Sequence, residues 1–205
     1  MRTVWTVTIL LTLPAFAAAQ TTAAKVAPRY GIAINTRTFT QTTAKETLTS
    51  AIKAVEENRF DVLVAHLIDP KVTEARAAEN GRLLENEVEK DLQQVREKQR
   101  ANPINVASEE KLPFEPMAFA QFVKAEAKVR GFKAAIEEVR QKFAGDTSLI
   151  PEMKRFLRDG DFTNTPDGAK VTLKDAKGKA IFFTKVNDRW FIEDRKEDAT
   201  KDEKK

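Results

Sequence analysis

The chain has 205 residues, 41% of them apolar, with 35 Lys and Arg against 31 Asp and Glu, a formal net charge of +4, one histidine and no cysteine. That is apolar material for one core and too much for a disordered chain, while the missing cysteines exclude disulfides and a lipidated N-terminal cysteine. Charges of both signs are interspersed, and basic patches interleaved with aromatic residues are absent, so nucleic acid is not an expected partner.

Arg2, an apolar run over 4–16 and the small residues Ala17, Ala18 and Ala19 have the layout of a secretory signal peptide, assigned to 1–19. The run is shorter than the about 20 apolar residues of a spanning helix, and Pro14 and three threonines interrupt it. No stable membrane anchor is therefore expected after cleavage, and the location is expected to be extracytoplasmic, periplasmic or secreted. Residues 20–42, rich in Thr and Ala, are expected to form a flexible N-terminal segment in which Tyr30 to Ile34 could dock as an edge. A single α+β domain is expected over 43–194 and a charged disordered tail over 195–205.

Thr43 and Glu46 have capping-box spacing, and Leu48, Ile52 and Val55 recur on one face, which predicts a helix ending at Asn58. Phe60, Leu63, Val64, Leu67 and Ile68 predict a second, shorter helix stopped at Asp69-Pro70. A further helix ending in a glycine cap at Asn80-Gly81 is expected next. It is followed by a charged helix over 82–100 with a narrow stripe of Leu84, Val88, Leu92 and Val95. Pro103, Pro113 and Pro116 mark a loop. Then Phe119, Phe122, Ala125, Val129, Phe132, Ile136, Val139 and Phe143 line one side of a long helix over 117–143. Its cover could be the sheet, another helix, or a second copy in a homodimer, and packing within the protein's own core is expected over the dimer because the sheet needs a covering layer. Ser148 is expected to cap a last helix that ends at Asp159-Gly160.

The stretch 161–194 is the part of the chain with a period of two and hairpin-spaced turns. Val171 and Leu173 alternate with Lys170, Thr172 and Lys174; 180–186 is a more continuously apolar run suited to a central strand; 190–192 ends in charge. Turns at 166–168, 175–178 and 187–189 are too short for parallel crossovers, so the strands form an antiparallel meander. The fold class is thus α+β, with N-terminal helices packed on a C-terminal antiparallel meander.

Chemistry is sparse. None of Ser50, Ser108 and Ser148 lies in a nucleophile elbow, and there is no phosphate-binding glycine loop, no calcium loop and no metal-ligand spacing, so no catalytic residue, metal or cofactor is assigned. Phe60, His66, Phe183 and Trp190 are the candidate pocket-lining residues between helices and sheet. His66 is read as a core histidine or, on the alternative, as a general base.

The segments TAKETLTSAIKAVEENRFDVL and KVNDRWFIED, together with RFDVLVAHLIDP and MKRFLRDGDFT, resemble the nuclear transport factor two-like superfamily and exported bacterial proteins of unknown function with that layout. The resemblance implies a cone-shaped α+β fold that holds either a catalytic pocket or a binding surface. The expected function is a non-enzymatic exported protein that binds a small ligand or partner protein at the concave face of its sheet. The alternatives are an isomerase or hydratase with His66 as base, and an assembly protein joined through the helix at 117–143.

Overall fold

The computed structural model describes residues 26–101, 112–164, 168–175 and 179–195. The expected signal peptide at 1–19, Pro103, the Pro166-Asp167 pair and all of the expected tail but Arg195 lie outside the described residues. Among the described residues five α-helices and one π-helical turn precede a four-stranded antiparallel sheet, which is the α+β order expected. The elements are α1 (Ala44–Glu56), α2 (Phe60–Val62) running into a π-helical turn (Leu63–Leu67), α3 (Pro70–Ala101), α4 (Pro116–Gly145) and α5 (Leu149–Asp159). They are followed by β1 (Asp161–Asn164), β2 (Gly168–Thr172), β3 (Ala180–Val186) and β4 (Arg189–Ile192).

The strands lie side by side in chain order. Asn187 and Asp188, both at positive φ, make the two-residue turn between β3 and β4, a backbone shape that matches the right-handed twist of a hairpin. The register sets Phe162 opposite Val171, Val171 opposite Ile181, Ala169 opposite Phe183, and Phe183 opposite Ile192. Because side chains alternate, these residues share one face of the sheet. Trp190 shares that face, and Ala44, Leu48 and Ile52 of α1 and Phe156 of α5 close over it. On the other face Phe182 and Phe191 lie beneath the guanidinium groups of Arg195 and Arg189, at 4.2 and 5.2 Å from the ring centroids.

Thr43 caps α1, its hydroxyl accepting from the Glu46 amide at 3.1 Å, while the Glu46 carboxylate turns back to the Thr42 amide at 3.2 Å. The capping box is therefore present, shifted by one residue on its return bond. Asp69 accepts from the Lys71 amide at 2.9 Å and Pro70 takes the first helical position, so Asp69-Pro70 both ends the preceding helix and starts α3. At α5 the expected cap is displaced. Ser148 makes no side-chain cap; instead Asp146 accepts from both its amide and its hydroxyl, at 2.9 and 2.6 Å.

Two expectations are corrected by packing. The segment expected to be flexible over 20–42 is, from residue 26 on, a strap laid against the helices. Tyr30 and Gly31, at φ 51° and 78°, turn the chain so that Arg29 and Ile32 exchange backbone hydrogen bonds of 3.0 and 2.8 Å. The Tyr30 ring stacks on Phe132 of α4 at 4.1 Å, and Phe39 is buried. A few apolar anchors, Tyr30, Ile32, Ile34 and Phe39, outweigh the Thr and Ala composition that suggested a tether.

The second correction concerns the long helices. α3 does not stop at Asn80-Gly81 but runs for 32 residues, and α4 for 30, so each is about 45 Å long at about 1.5 Å per residue. They cover each other, as an antiparallel hairpin, more than they cover the sheet. Along α4 the buried positions are Phe119, Val123, Ala127, Gly131, Ala135 and Val139, in steps of four, joined by Phe132, whereas Phe122 is 40% exposed. On α3 they include Thr73, Ala77, Gly81, Val88 and Leu92. Small residues face one another where the helices cross. A Cβ on Gly81 would sit 2.8 Å from the Ala127 carbonyl oxygen, and one on Gly131 would overlap the Ala77 carbonyl and the Gly81 amide nitrogen. Gly81 is thus a crossing residue and not a helix cap.

Gly131→Ala is expected to destabilise the protein by about 2 kcal/mol or more, because helical backbone must move to admit the methyl group. Gly145→Ala, where an added Cβ meets nothing within 4 Å, is expected to be neutral or slightly stabilising. Urea midpoints measure both; equal midpoints for the two variants would remove the close-crossing account.

Candidate functional site

A groove of about 380 Å³ opens where the start of α3, the end of α4, the start of α5 and the β3–β4 hairpin come together. Its construction begins at the π-helical turn. Widening the helix there leaves the Val64 carbonyl to accept from the Thr73 hydroxyl at 2.8 Å, and Ile68 leaves the turn extended, pairing in parallel with Ile192. The end of β4 is thereby set beside the first turns of α3.

Leu63, Val64, Ile68 and Val72 form one wall, Val139 and Phe143 of α4 a second, and Leu149 and Met153 of α5 a third. The floor is the strand pair, at Ala180, Ile181 and Ile192. Thr73 is the uncharged polar side chain on the lining, and its hydroxyl is already committed to Val64. The interior therefore offers a ligand little hydrogen bonding. At about 380 Å³ the groove lies in the lower part of the range of small-molecule sites, about 300–1,000 Å³.

Charge is confined to the mouth. Arg76 of α3 is ion-paired with Asp194, and Arg195, lying over Phe182, pairs with Glu193 at 3.3 Å. Lys142, exposed near the end of α4, lines the same mouth and has no acidic partner among the described residues.

The four residues expected to line a pocket are elsewhere. Phe60 is buried against α4, its ring 5.9 Å from that of Phe143; Phe183 and Trp190 are buried in the layer between the sheet, α1 and α5. His66 is fully buried, and its ring reaches the strap, where Nε2 lies 2.7 Å from the Ile32 carbonyl oxygen. None of the four lines the groove. Large aromatic residues were favoured by the sequence because they are large, and for the same reason the core takes them. The groove residues Val72 and Arg76 did leave a signal: they lie four apart on α3, on one helix face, beside the buried Thr73. For Lys142 no such signal exists.

Because the Ile32 oxygen can only accept, the His66 Nε2 carries the proton and donates it, leaving Nδ1 buried without a partner. Burial pushes the pKa below the ordinary value of 6.5; the Ile32 carbonyl opposes this, and the charges of Arg189 and Arg29 add to it. The ring is bonded to a backbone carbonyl instead of a carboxylate, and its own backbone carbonyl accepts from the Gln41 side chain at 2.9 Å. Among the described residues no three or more His, Cys, Asp or Glu side chains are grouped so as to hold a metal ion.

Comparison with known proteins returns no match: no family model, no curated protein and no solved structure.

The state of His66 gives a test. A histidine kept neutral in the fold takes up a proton on unfolding once the pH drops below about 6.5, so its share of stability is constant above that value and lost below it. His66→Gln keeps a donor for Ile32 and cannot titrate. Between about pH 8 and about pH 5 the stability difference between wild type and variant is expected to shift toward the variant below about 6.5, with a slope of at most about 1.4 kcal/mol per pH unit. Urea midpoints measured against pH follow it; parallel curves would mean that His66 protonates within the fold.

Proposed function

We propose that this protein is a non-catalytic binder of a small, mainly apolar ligand, which it holds in the groove between the β3–β4 hairpin and the helices. The observation that carries the reading is the distribution of polarity: an interior walled by Val, Leu, Ile, Met and Phe, with charge at the mouth alone. Such an interior favours burial of hydrocarbon and offers no aimed acid or base. A hydrated polar substrate would lose its water partners there and gain none.

The alternative of a small-molecule isomerase or hydratase draws no support from His66, which is sealed in the core and absent from the groove lining. Binding would take place outside the cytoplasm if the 1–19 segment acts as the export signal its sequence resembles. The nuclear transport factor two-like resemblance enters here as layout: helices first, meander last, ligand space between them. A second reading, self-association through α4, rests on exposed apolar residues on that helix, with Met117 70% and Phe122 40% exposed. A monomer mass that stays constant with concentration in light scattering would dismiss it.

Titration with the neutral fluorophore N-phenylnaphthylamine is expected to saturate at one site per chain. Val72 is half-buried on the groove wall and stands outside the core clusters, so Val72→Trp should fill the space without opening the core. The variant is expected to bind at least about tenfold more weakly at an unchanged urea midpoint, a loss of about 1.4 kcal/mol or more. Unsaturable fluorescence, or equal affinity in the variant, would defeat the reading.

A further inference from the structure

We infer that the ligand of the groove is a singly charged alkyl carboxylate, its chain between the helices and the β3–β4 floor and its head group at Lys142. The inference rests on the groove reading above and adds the chemistry of the occupant.

The hydrocarbon part follows from the lining. Apart from Phe143 and Phe182 the apolar walls are aliphatic, and the Thr73 hydroxyl is committed to Val64, so they offer contact to hydrocarbon and nothing to hydrogen-bond a nucleobase. The volume of about 380 Å³, in the lower part of the range of small-molecule sites, suits a medium-length chain.

The head group follows from the charges at the mouth. Arg76 and Arg195 are neutralised by Asp194 and Glu193, and those same pairings leave no carboxylate for a cationic ligand. Lys142 remains uncompensated among the described residues. A single ammonium matches a single negative charge; a phosphate dianion calls for more donors than this mouth leaves available. A neutral hydrocarbon would gain nothing from Lys142. The chain's own C-terminal residues are poor occupants, since 196–205 contains no apolar residue except Ala199.

The test displaces N-phenylnaphthylamine from the purified protein with dodecanoate, dodecanol and dodecylamine, each below its micelle concentration. Wild type is expected to prefer the acid to the alcohol and the alcohol to the amine. Lys142→Met is expected to weaken dodecanoate about fivefold, the size of an exposed ion pair, and to leave dodecanol unchanged. Lys142→Glu is expected to place the amine ahead of the acid. Because Lys142 is exposed, both variants should keep the wild-type urea midpoint. Should acid and alcohol bind wild type equally well, or should Lys142→Met weaken both alike, the head-group assignment is overturned while the groove reading stands. Failure of the neutral fluorophore to bind at all overturns the groove reading itself.

Discussion

The outer edge of β4 is the seam that fastens the helical part of the molecule to the sheet. An open strand edge presents unpaired amides and carbonyls, and here the helical side supplies their partners. The Trp190 amide donates to the Gln41 carbonyl at 3.0 Å, and the Trp190 carbonyl accepts from the Gln41 side chain at 2.6 Å and the Thr47 hydroxyl at 3.3 Å. The Ile192 carbonyl accepts from the Asp69 amide at 2.9 Å. These groups are buried or nearly so, and a buried carbonyl left without a partner costs about 1–3 kcal/mol, so the edge cannot be shifted by one residue without penalty. Residues from the strap, α1 and the start of α3 thus read one strand in one register.

That fastening lies between two of the three core clusters, the third being that of Val88, Leu92, Leu112, Phe119, Val123 and Ala127 along the α3–α4 hairpin. On one side α1 and α5 pack on the sheet face bearing Val171 and Phe183; on the other, the π-helical turn packs with α1, the strap and the C-terminal half of α4. Ile192 and Met153 touch both clusters, and both line the groove. The groove is therefore the place where two cores meet without merging. Much of its wall, from Leu63, Val64, Val139 and Phe143 on one side to Ile181 on the other, is made of residues of those two clusters that face the gap, which accounts for its apolar character there.

Much of the fold was legible because it rests on local signals. The Thr43 cap, the Asp69-Pro70 break and the alternation through 170–192 each report on a few neighbouring residues, and the structure has all three. What failed depended on contacts far apart in sequence. Gly81 has the character of a cap until Gly131 is known to lie against it, and the stripe drawn by spacing is right at Phe119, Phe132 and Val139 but passes through the exposed Phe122 and Ala125 where the close crossing selects the small residues Ala127, Gly131 and Ala135. The site was illegible for a related reason. A gap between two cores is defined by what fails to touch, and no spacing of residues along one chain encodes that.

His66 shows how the same atoms can exclude one role and supply another. As a base it would need a free lone pair facing a substrate and a partner to hold the imidazolium; its Nδ1 faces neither, and burial opposes the charge. As structure it is well placed. The ring donates to Ile32 in the strap, and the backbone carbonyl accepts from Gln41, the residue that also holds Trp190. One residue thereby ties the N-terminal strap to the sealed edge of β4, with bonds that use its Nε2–H and its backbone carbonyl. The single histidine of this chain is therefore explained by the joint between strap and sheet, and the groove's selectivity has to be sought in its apolar walls and in the charges at its mouth.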